Sequence, residues 1–395
     1  MRRPSFRAVI AAAATALVAV PMTAGTSAQA VPEPPQPPEK AITVMTRNIY
    51  LGADINRPVD AALDAQAAGA TPQQVVAALA VATDYTRGIV DQTNFPARSK
   101  LLAREIAAAQ PDLVGLQEVA LWRSGPLELT KVGVPNATTV DYDFLAILLA
   151  DLRAAGTPYV AEVVGQRADV ESPSFTTSMG SPRDVRLTMR DVILKRKGNT
   201  LAVTGQHDQL FTHNLEVDIS GVTMDFSRGY QWVDVRAGKR DFRFVNSHFE
   251  AFSSDLALAQ AMQVVSEATA ADRTTVFVCD CNSDPLLDTV KAHDTQPHKA
   301  AYEFITGEDS GYTDQWLEWA PAEEGWTSGL SELVNDETAA GFDHRIDMVF
   351  SHTTDGEALD VDLGSITGNE LTDRDPITGL WPSDHAGVVL RLRGL

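Results

Sequence analysis

Thr274-Thr275-Val276-Phe277-Val278-Cys279-Asp280-Cys281-Asn282 is the stretch on which the reading of this chain turns. β-Branched and aromatic residues run between polar ones and end where the backbone leaves a core, the pattern of a buried strand with a polar tip. Side chains two apart on a strand share a face, so Asp280 and Asn282 stand side by side, an acid beside a neutral amide. A carboxylate can hold a hard divalent cation, while an amide N–H donates to a phosphate oxygen without adding charge that would repel a phosphate ester. By itself Asp-x-Asn after an apolar run is an ordinary turn. The other strand ends must support it.

They deliver the same kinds of group. Residues 41–46 alternate as a strand and lead into Arg47 and Asn48. Residues 113–119 are apolar enough to lie inside a sheet yet carry Glu118, a carboxylate costly to bury unless paired or bound to metal; a strand-end glutamate reaching solvent is the plainer alternative. Strands at 231–236 and 242–248, joined through Ala237-Gly238-Lys239, finish on His248. Residues 343–350 read as a strand with an acid near its start and Asp347 within it, and the loop Trp381-Pro382-Ser383-Asp384-His385 precedes a last strand at 388–390.

Helical spacing fills the intervals. Ala-rich helices are predicted from Pro58 to about Val90 with a break at Gly69-Ala70-Thr71-Pro72, and further helices at 98–110 and 144–155. Ser253-Ser254-Asp255 caps another, whose Leu258, Met262 and Val265 share one face. Residues 165–185 read as a polar surface loop and 187–195 as a strand. Alternating helices and strands with polar ends imply a layered α/β domain presenting one catalytic rim.

The chain opens with Arg2, Arg3 and Arg7, an apolar run from Ala8 to Val20, and the exit Ala28-Gln29-Ala30. That is a secretory signal peptide over 1–30; a membrane anchor needs about 20 apolar residues. Five prolines between Pro32 and Pro38 make 31–40 an extended linker, and the domain is expected over 41–395 with a helical insertion at about 55–97. No transmembrane segment and no protein partner are evident. The chain carries 32 basic residues, three of them in the leader, against 53 acidic ones, a formal charge of −21. Such a surface repels polyanions, so no stable nucleic-acid complex is expected unless a bound metal reverses the local sign.

Cys279 and Cys281 are the only cysteines. One residue apart on a strand, they point the same way with Cα atoms near the upper reach of disulfide geometry, and read as small buried packing residues. His207, His213, His293, His298 and His352 lack metal-ligand spacing, which argues against a zinc site.

The order of these strand ends resembles the endonuclease/exonuclease/phosphatase family of metal-dependent phosphoesterases, which includes DNase I, abasic-site endonucleases, bacterial sphingomyelinases and inositol polyphosphate 5-phosphatases. Thr46-Arg47-Asn48 is similar to its first strand motif, Leu116-Gln117-Glu118-Val119 to its metal-binding glutamate motif and Asn246-Ser247-His248 to its central histidine. Cys279-Asp280-Cys281-Asn282 stands for its Gly-Asp-Phe-Asn motif, with cysteines in place of the glycine and the aromatic. Arg345-Ile346-Asp347 and Ser383-Asp384-His385 resemble its last two motifs. The resemblance spans residues 42–392 and implies a four-layered, DNase I-like α/β sandwich, two face-to-face sheets flanked by helices.

It also implies roles. Glu118, with Asn48 and Asp384, would bind Mg²⁺, with Mn²⁺ as the alternative. Asp280 would hold or activate the attacking water and Asn282 bind the phosphate. His385, oriented by Asp347, would move a proton, and His248 would stabilise the phosphorane-like transition state. Arg190 and Arg228 are candidates to clamp the phosphate. The expected activity is secreted, metal-dependent hydrolysis of a phosphodiester in a lipid headgroup, nucleic acid or small organophosphate. The alternatives are a secreted non-specific nuclease of the same fold and a catalytically inactive binding protein.

Overall fold

The computed structural model describes residues 41–175 and 181–395; the expected signal peptide and linker lie outside them. In chain order the strands are β1 (Ile42–Asn48), β2 (Leu113–Gln117), β3 (Leu121–Pro126), β4 (Thr139–Asp143), β5 (Tyr159–Ser174), β6 (Arg183–Arg196), β7 (Ala202–Leu210) and β8 (Leu215–Ile219). They continue with β9 (Val222–Phe226), β10 (Gly229–Ala237), β11 (Arg240–His248), β12 (Thr274–Asp280), β13 (Thr313–Asp314), β14 (Asp347–His352), β15 (Val361–Thr367) and β16 (Gly387–Leu392). The helices are α1 (Asn56–Ala67), α2 (Pro72–Gln92), α3 (Phe95–Ala109), α4 (Phe144–Ala154), α5 (Ser254–Ala268), α6 (Ala300–Ile305) and α7 (Gln315–Trp319).

Two mixed sheets stack face to face. The first runs β15-β16-β1-β2-β6-β3-β4 with β5 on the other edge of β6; the second runs β13-β14-β12-β11-β10-β7. Period-two alternation sorts each strand's side chains into layers. Val44, Leu113 and Ile193 of the first sheet meet Val233, Phe244, Val276 and Val278 of the second in the central core. The intervening Met45, Val114, Leu116 and Val192 turn outward against α3 and α4. Phe277 and Cys279 turn outward against α5 and α6. Strands buried on both faces carry near-continuous apolar runs, which is why β2 reads Leu-Val-Gly-Leu. The result is the expected four-layered α/β sandwich.

Polar side chains stitch the sheets near the rim. Gln117 Nε2 donates to Asn246 Oδ1 at 2.7 Å, and Asn246 Nδ2 to the Leu116 carbonyl at 3.1 Å. Both sit just before Glu118 and His248, so the stitch fixes the sheet separation where the site begins.

Helices α1 and α2 occupy the stretch where a helical insertion is expected. Gly69, at φ +78°, ends the first, and Thr71 starts the second through a reciprocal capping box with Gln74. These helices pack on the β8–β9 hairpin, with Val59, Val75 and Leu79 against Ile219, Met224 and Phe226.

Four readings are corrected. Residues 165–174 and 183–185 are strand, not surface loop: β5 runs to Ser174 and β6 begins at Arg183, paired antiparallel, while 176–180 of the expected loop lie outside the described residues. Their polar residues are cross-strand partners, as Asp169 is to Arg186 and Thr188, while Val170 and Val185 pack inward. The buried face of α5 is Ala257, Ala261, Val264 and Ala268, with Met262 exposed; small residues bring this helix close to the sheet. The strand at 113–119 stops at Gln117, leaving Glu118 in the left-handed region. Finally, Cys279 and Cys281 form a buried disulfide. The strand ends at Asp280, so the pair is not fully extended and its Cα atoms lie 5.1 Å apart, within bridging range.

Candidate active site

Strand register assembles the site. β11 and β12 are parallel with His248 beside Asp280, and β12 and β14 antiparallel with Asp280 beside Asp347, so the three stand in one row across the second sheet. In the first sheet, parallel β1 and β2 end together at Asn48 and Gln117. The chain leaves these ends abruptly: Tyr50, Glu118 and Asn282 have φ of +59°, +58° and +44°. Left-handed backbone costs a residue other than glycine about 1–2 kcal/mol, and local hydrogen bonds offset it. Tyr50 N–H donates to Asn48 Oδ1, and Leu51 N–H to Glu118 Oε2, each at 2.8 Å. Arg98, fully buried, gathers the carbonyls of Thr93, Ile49, Tyr50 and Pro382 at 2.7–3.0 Å and so joins the β1 exit to the loop bearing Asp384 and His385.

Asp280 is the hub. Asn48 Nδ2 donates to its Oδ2 at 2.9 Å, His248 Nε2 lies 3.3 Å from the same oxygen and His385 Nε2 3.8 Å. His385 Nδ1 is 2.8 Å from Asp347 Oδ2, the geometry of an imidazole oriented by a carboxylate. Arg228 Nη1 approaches His248 at 2.8 Å from Nδ1 and 3.2 Å from Nε2. A guanidinium only donates, so the nearer Nδ1 accepts and the proton sits on Nε2, facing Asp280. Arg228 is backed by Glu250 at 3.9 Å, and Asp191 pairs instead with Arg167. Asn282 donates its backbone N–H to Asp280 Oδ1 at 3.2 Å and Nδ2 to the Phe249 carbonyl at 3.0 Å.

Burial and neighbours then set protonation. Burial pushes the Asp280 carboxyl up to about 7, despite the opposing pull of His385. Burial alone would lower the His385 imidazolium, but the carboxylates of Asp347, Asp280 and Asp384 outweigh it and hold the group well above its ordinary value. Burial followed by the charge of Arg228 drives His248 well below, so that ring is neutral. Glu118 is raised by burial and by the charge of Asp384; Asp384 is raised by burial against the pull of His385 and Arg98.

An open cleft of about 340 Å³ exposes this chemistry: Glu118, Arg228, His248, Asp280, Asn282, Asp384 and His385 line it, together with Tyr50, Asp54 and Glu332. Arg228 is the only arginine or lysine among the described residues lining it. The donor set suits a hard cation, since Glu118 and Asp384 present carboxylate oxygens into the cleft and resist ionising without a counter-charge. Asp280, Asp347 and His385 also place three ligand atoms within 4.8 Å of one another, close enough to share an ion.

The structure thus brings together Asn48, Glu118, Arg228, His248, Asp280, Asn282, Asp347, Asp384 and His385. Asn48 stands behind the cleft with both ends of its amide engaged by Tyr50 and Asp280, and Asp347 stands behind His385. Arg190 is not brought in: its guanidinium is spent on Asp143 and the carbonyls of Val119 and Ala120. Sequence reasoning missed Arg98 and Tyr50. The signal for Arg98 was its phase, one turn after Phe95 and one before Leu102 on the buried face of α3.

No family model and no curated protein sequence matches the chain. Solved structures do. An endonuclease/exonuclease/phosphatase family protein from Bacteroides thetaiotaomicron is 14% identical, covers 90% of this chain and 98% of its own, and superposes with a TM-score of 0.50. A protein of the same family from Leptotrichia buccalis C-1013-b is 15% identical over 89% of this chain and 100% of its own, TM-score 0.48. TDP2 of D. rerio, complexed with single strand DNA product, is 13% identical over 89% of this chain and 99% of its own, TM-score 0.49. The architecture is therefore that of the endonuclease/exonuclease/phosphatase structures, a DNase I-like fold of two mixed sheets flanked by helices.

Proposed function

We propose that this chain is a member of the endonuclease/exonuclease/phosphatase family, an exported, divalent-metal-dependent hydrolase of phosphodiester bonds. The observation that carries the reading is the convergence on Asp280 of a neutral His248, an Asp347-backed His385 and the cleft carboxylates Glu118 and Asp384. A scaffold without chemistry has no use for so many buried polar groups, each costly to desolvate. Glu118 and Asp384 would hold Mg²⁺ or Mn²⁺, which neutralises phosphate charge and makes bound water more acidic.

The chain's own groups do the rest. Asp280, pushed up to about 7, accepts the proton of an attacking water near neutral pH. Arg228 donates to non-bridging oxygens as charge develops there, the Nε2–H of His248 turns from Asp280 to the same oxygens once Asp280 has taken the proton of the water, and Asn282 positions the phosphate. His385, kept protonated by Asp347, delivers a proton to the leaving oxygen. The formal charge of −21 and the further cleft carboxylates Asp54 and Glu332 favour a compact phosphodiester over a long polyanion. The basic head, short apolar core and Ala28-Gln29-Ala30 exit support export. Among the described residues no helix is long and apolar enough to cross a membrane.

The test is hydrolysis of bis-p-nitrophenyl phosphate with Mg²⁺ or EDTA, beside His385→Ala. Activity that needs the metal and is lost in the variant supports the reading. Inactivity in every divalent metal, with no thermal stabilisation by any of them, rejects it.

A further inference from the structure

The helical insertion and the first sheet leave a small, half-open apolar pocket between them. Val59 of α1, Thr83 of α2, Trp122 of β3, Leu187 of β6 and Phe226 of β9 wall it, and its volume is about 50 Å³. It occupies a seam. Val59 and Phe226 belong to the insertion's own apolar cluster, Trp122 and Leu187 to the outer core of the first sheet, and Ile55 touches both clusters. Interiors are close-packed and an unfilled apolar space costs stability, so its position is informative: it adjoins the catalytic cleft. Ile55 forms part of both walls. Trp122 Nε1 donates to the carbonyl of Leu51 at 2.9 Å, and Thr86 Oγ1 to that of Asp54 at 3.4 Å; Leu51 and Asp54 both line the cleft.

The pocket's threonine hydroxyls have partners. Thr83 donates to the Leu79 carbonyl at 2.8 Å, and Thr86, besides its bond to Asp54, accepts from Arg57 at 3.1 Å. Neither is left to select a polar ligand, and among the described residues Ser172 is the one other hydroxyl in a lining that is otherwise apolar. At about 50 Å³ the pocket exceeds the roughly 10–15 Å³ that a single water needs and has room for a short alkyl chain.

We propose that this pocket is a subsite for a short alkyl group carried by the phosphodiester substrate, and that the helical insertion confers it. The inference rests on the phosphodiesterase reading. The experiment is a series of p-nitrophenyl alkyl phosphates, methyl to octyl, hydrolysed by the full chain with Mg²⁺. In parallel, the methyl NMR signals of Ile55, Val59 and Met224 are followed during titration with methylphosphonate and butylphosphonate. The expected kcat/KM rises about fourfold per added carbon as far as butyl and then levels off. Thr83→Leu, which fills the pocket, flattens the series and leaves the methyl ester unchanged; Val59→Ile, a milder filling, flattens it in part. Butylphosphonate shifts the three methyl signals and methylphosphonate does not. Methyl signals that butylphosphonate leaves in place overturn the subsite. So does a Thr83→Leu protein that is more thermostable yet keeps the full chain-length dependence, because the pocket is then a packing defect. Shifted signals with no ester hydrolysed would retain the subsite and reject the phosphodiesterase reading.

Discussion

Asp280 holds three demands at once: it must be buried to have a raised pKa, flanked by donors to be oriented, and open to the cleft to meet water. Its place at the last residue of β12 satisfies all three, because the strand is still in the sheet while the chain beyond it turns away. The residue whose removal isolates one part of this arrangement is Asp347. Asp347→Asn keeps the volume and removes the charge that sustains the His385 imidazolium. The sign follows. The folded pKa of His385 is raised by that carboxylate, so in the variant it falls, and the alkaline limb of the pH–rate profile moves to lower pH. At neutral pH kcat drops by about 10²–10⁴, the usual worth of a positioned proton donor, while KM changes little. An alkaline limb that stays in place would remove His385 from the role of acid. Arg228→Met supplies the opposite sign: burial and the guanidinium together hold His248 low, so losing the cation raises that histidine's pKa, which histidine NMR titration reads directly.

Sheet spacing and hairpin pairing belong to the element scale, and each offers one position to test. A Cβ at Gly115 of β2 would lie 2.5 Å from Asn246 Oδ1 and from Val278 Cγ2, so the sheets meet there at glycine's distance. Gly115→Ala should cost about 1–3 kcal/mol through overpacking, seen as a lower urea midpoint at unchanged slope. On the β5–β6 hairpin, burial would raise Asp169, but hydrogen bonds from Arg186 and Thr188 and the charges of Arg186 and Arg123 hold it below the ordinary carboxylate value. A depressed folded pKa adds stability above the unfolded pKa and loses it as pH falls through the folded one. Asp169→Asn should therefore destabilise by about 1–2 kcal/mol at pH 7, modest because the pair is partly wet, and the gap should close below about pH 4. An undiminished gap at pH 3 would assign the loss to packing. The same hairpin shows where sequence reading stopped. Strands β1, β2 and β12 were legible because both faces are buried and the apolar runs stand out; the site was legible because polar residues ended those runs. β5 was not, since its polar residues satisfy one another across the ladder and mimic a loop. The α5 face was missed because alanines, not Met262, pack against the sheet. Arg98 was legible only as a charged residue in phase with the buried face of α3, since the carbonyls it gathers come from distant segments, and the apolar seam beside Ile55 is a product of tertiary packing, which periodicity along a chain does not encode.

At the scale of the whole molecule, an excess of acid meets a cleft that concentrates it. The formal charge is −21, and Asp54, Glu118, Asp280, Glu332 and Asp384 all line the cleft. Arg57 answers Glu332 at 2.7 Å, and Arg228 is engaged by His248, which leaves Glu118 and Asp384 raised by burial and, for Glu118, by its neighbour. Such a pair is a source of instability that a bound divalent cation would relieve. Adding Mg²⁺ or Mn²⁺ at about a hundred times its dissociation constant should stabilise the fold by about 2.7 kcal/mol. Because both carboxyls are raised, protons compete with the ion, so the gain should grow as pH rises above the ordinary carboxylate range. General screening of an acidic protein also stabilises it, and matched ionic strength in KCl removes that contribution. The Glu118→Gln, Asp384→Asn double variant should then be at least as stable as the native chain without metal, since it no longer buries two opposed acids, and should gain nothing from Mg²⁺. A double variant that still responds as the native chain does would move the ion to Asp280, Asp347 and His385, whose ligand atoms lie within 4.8 Å of one another, and Asp347→Asn would then abolish the gain instead.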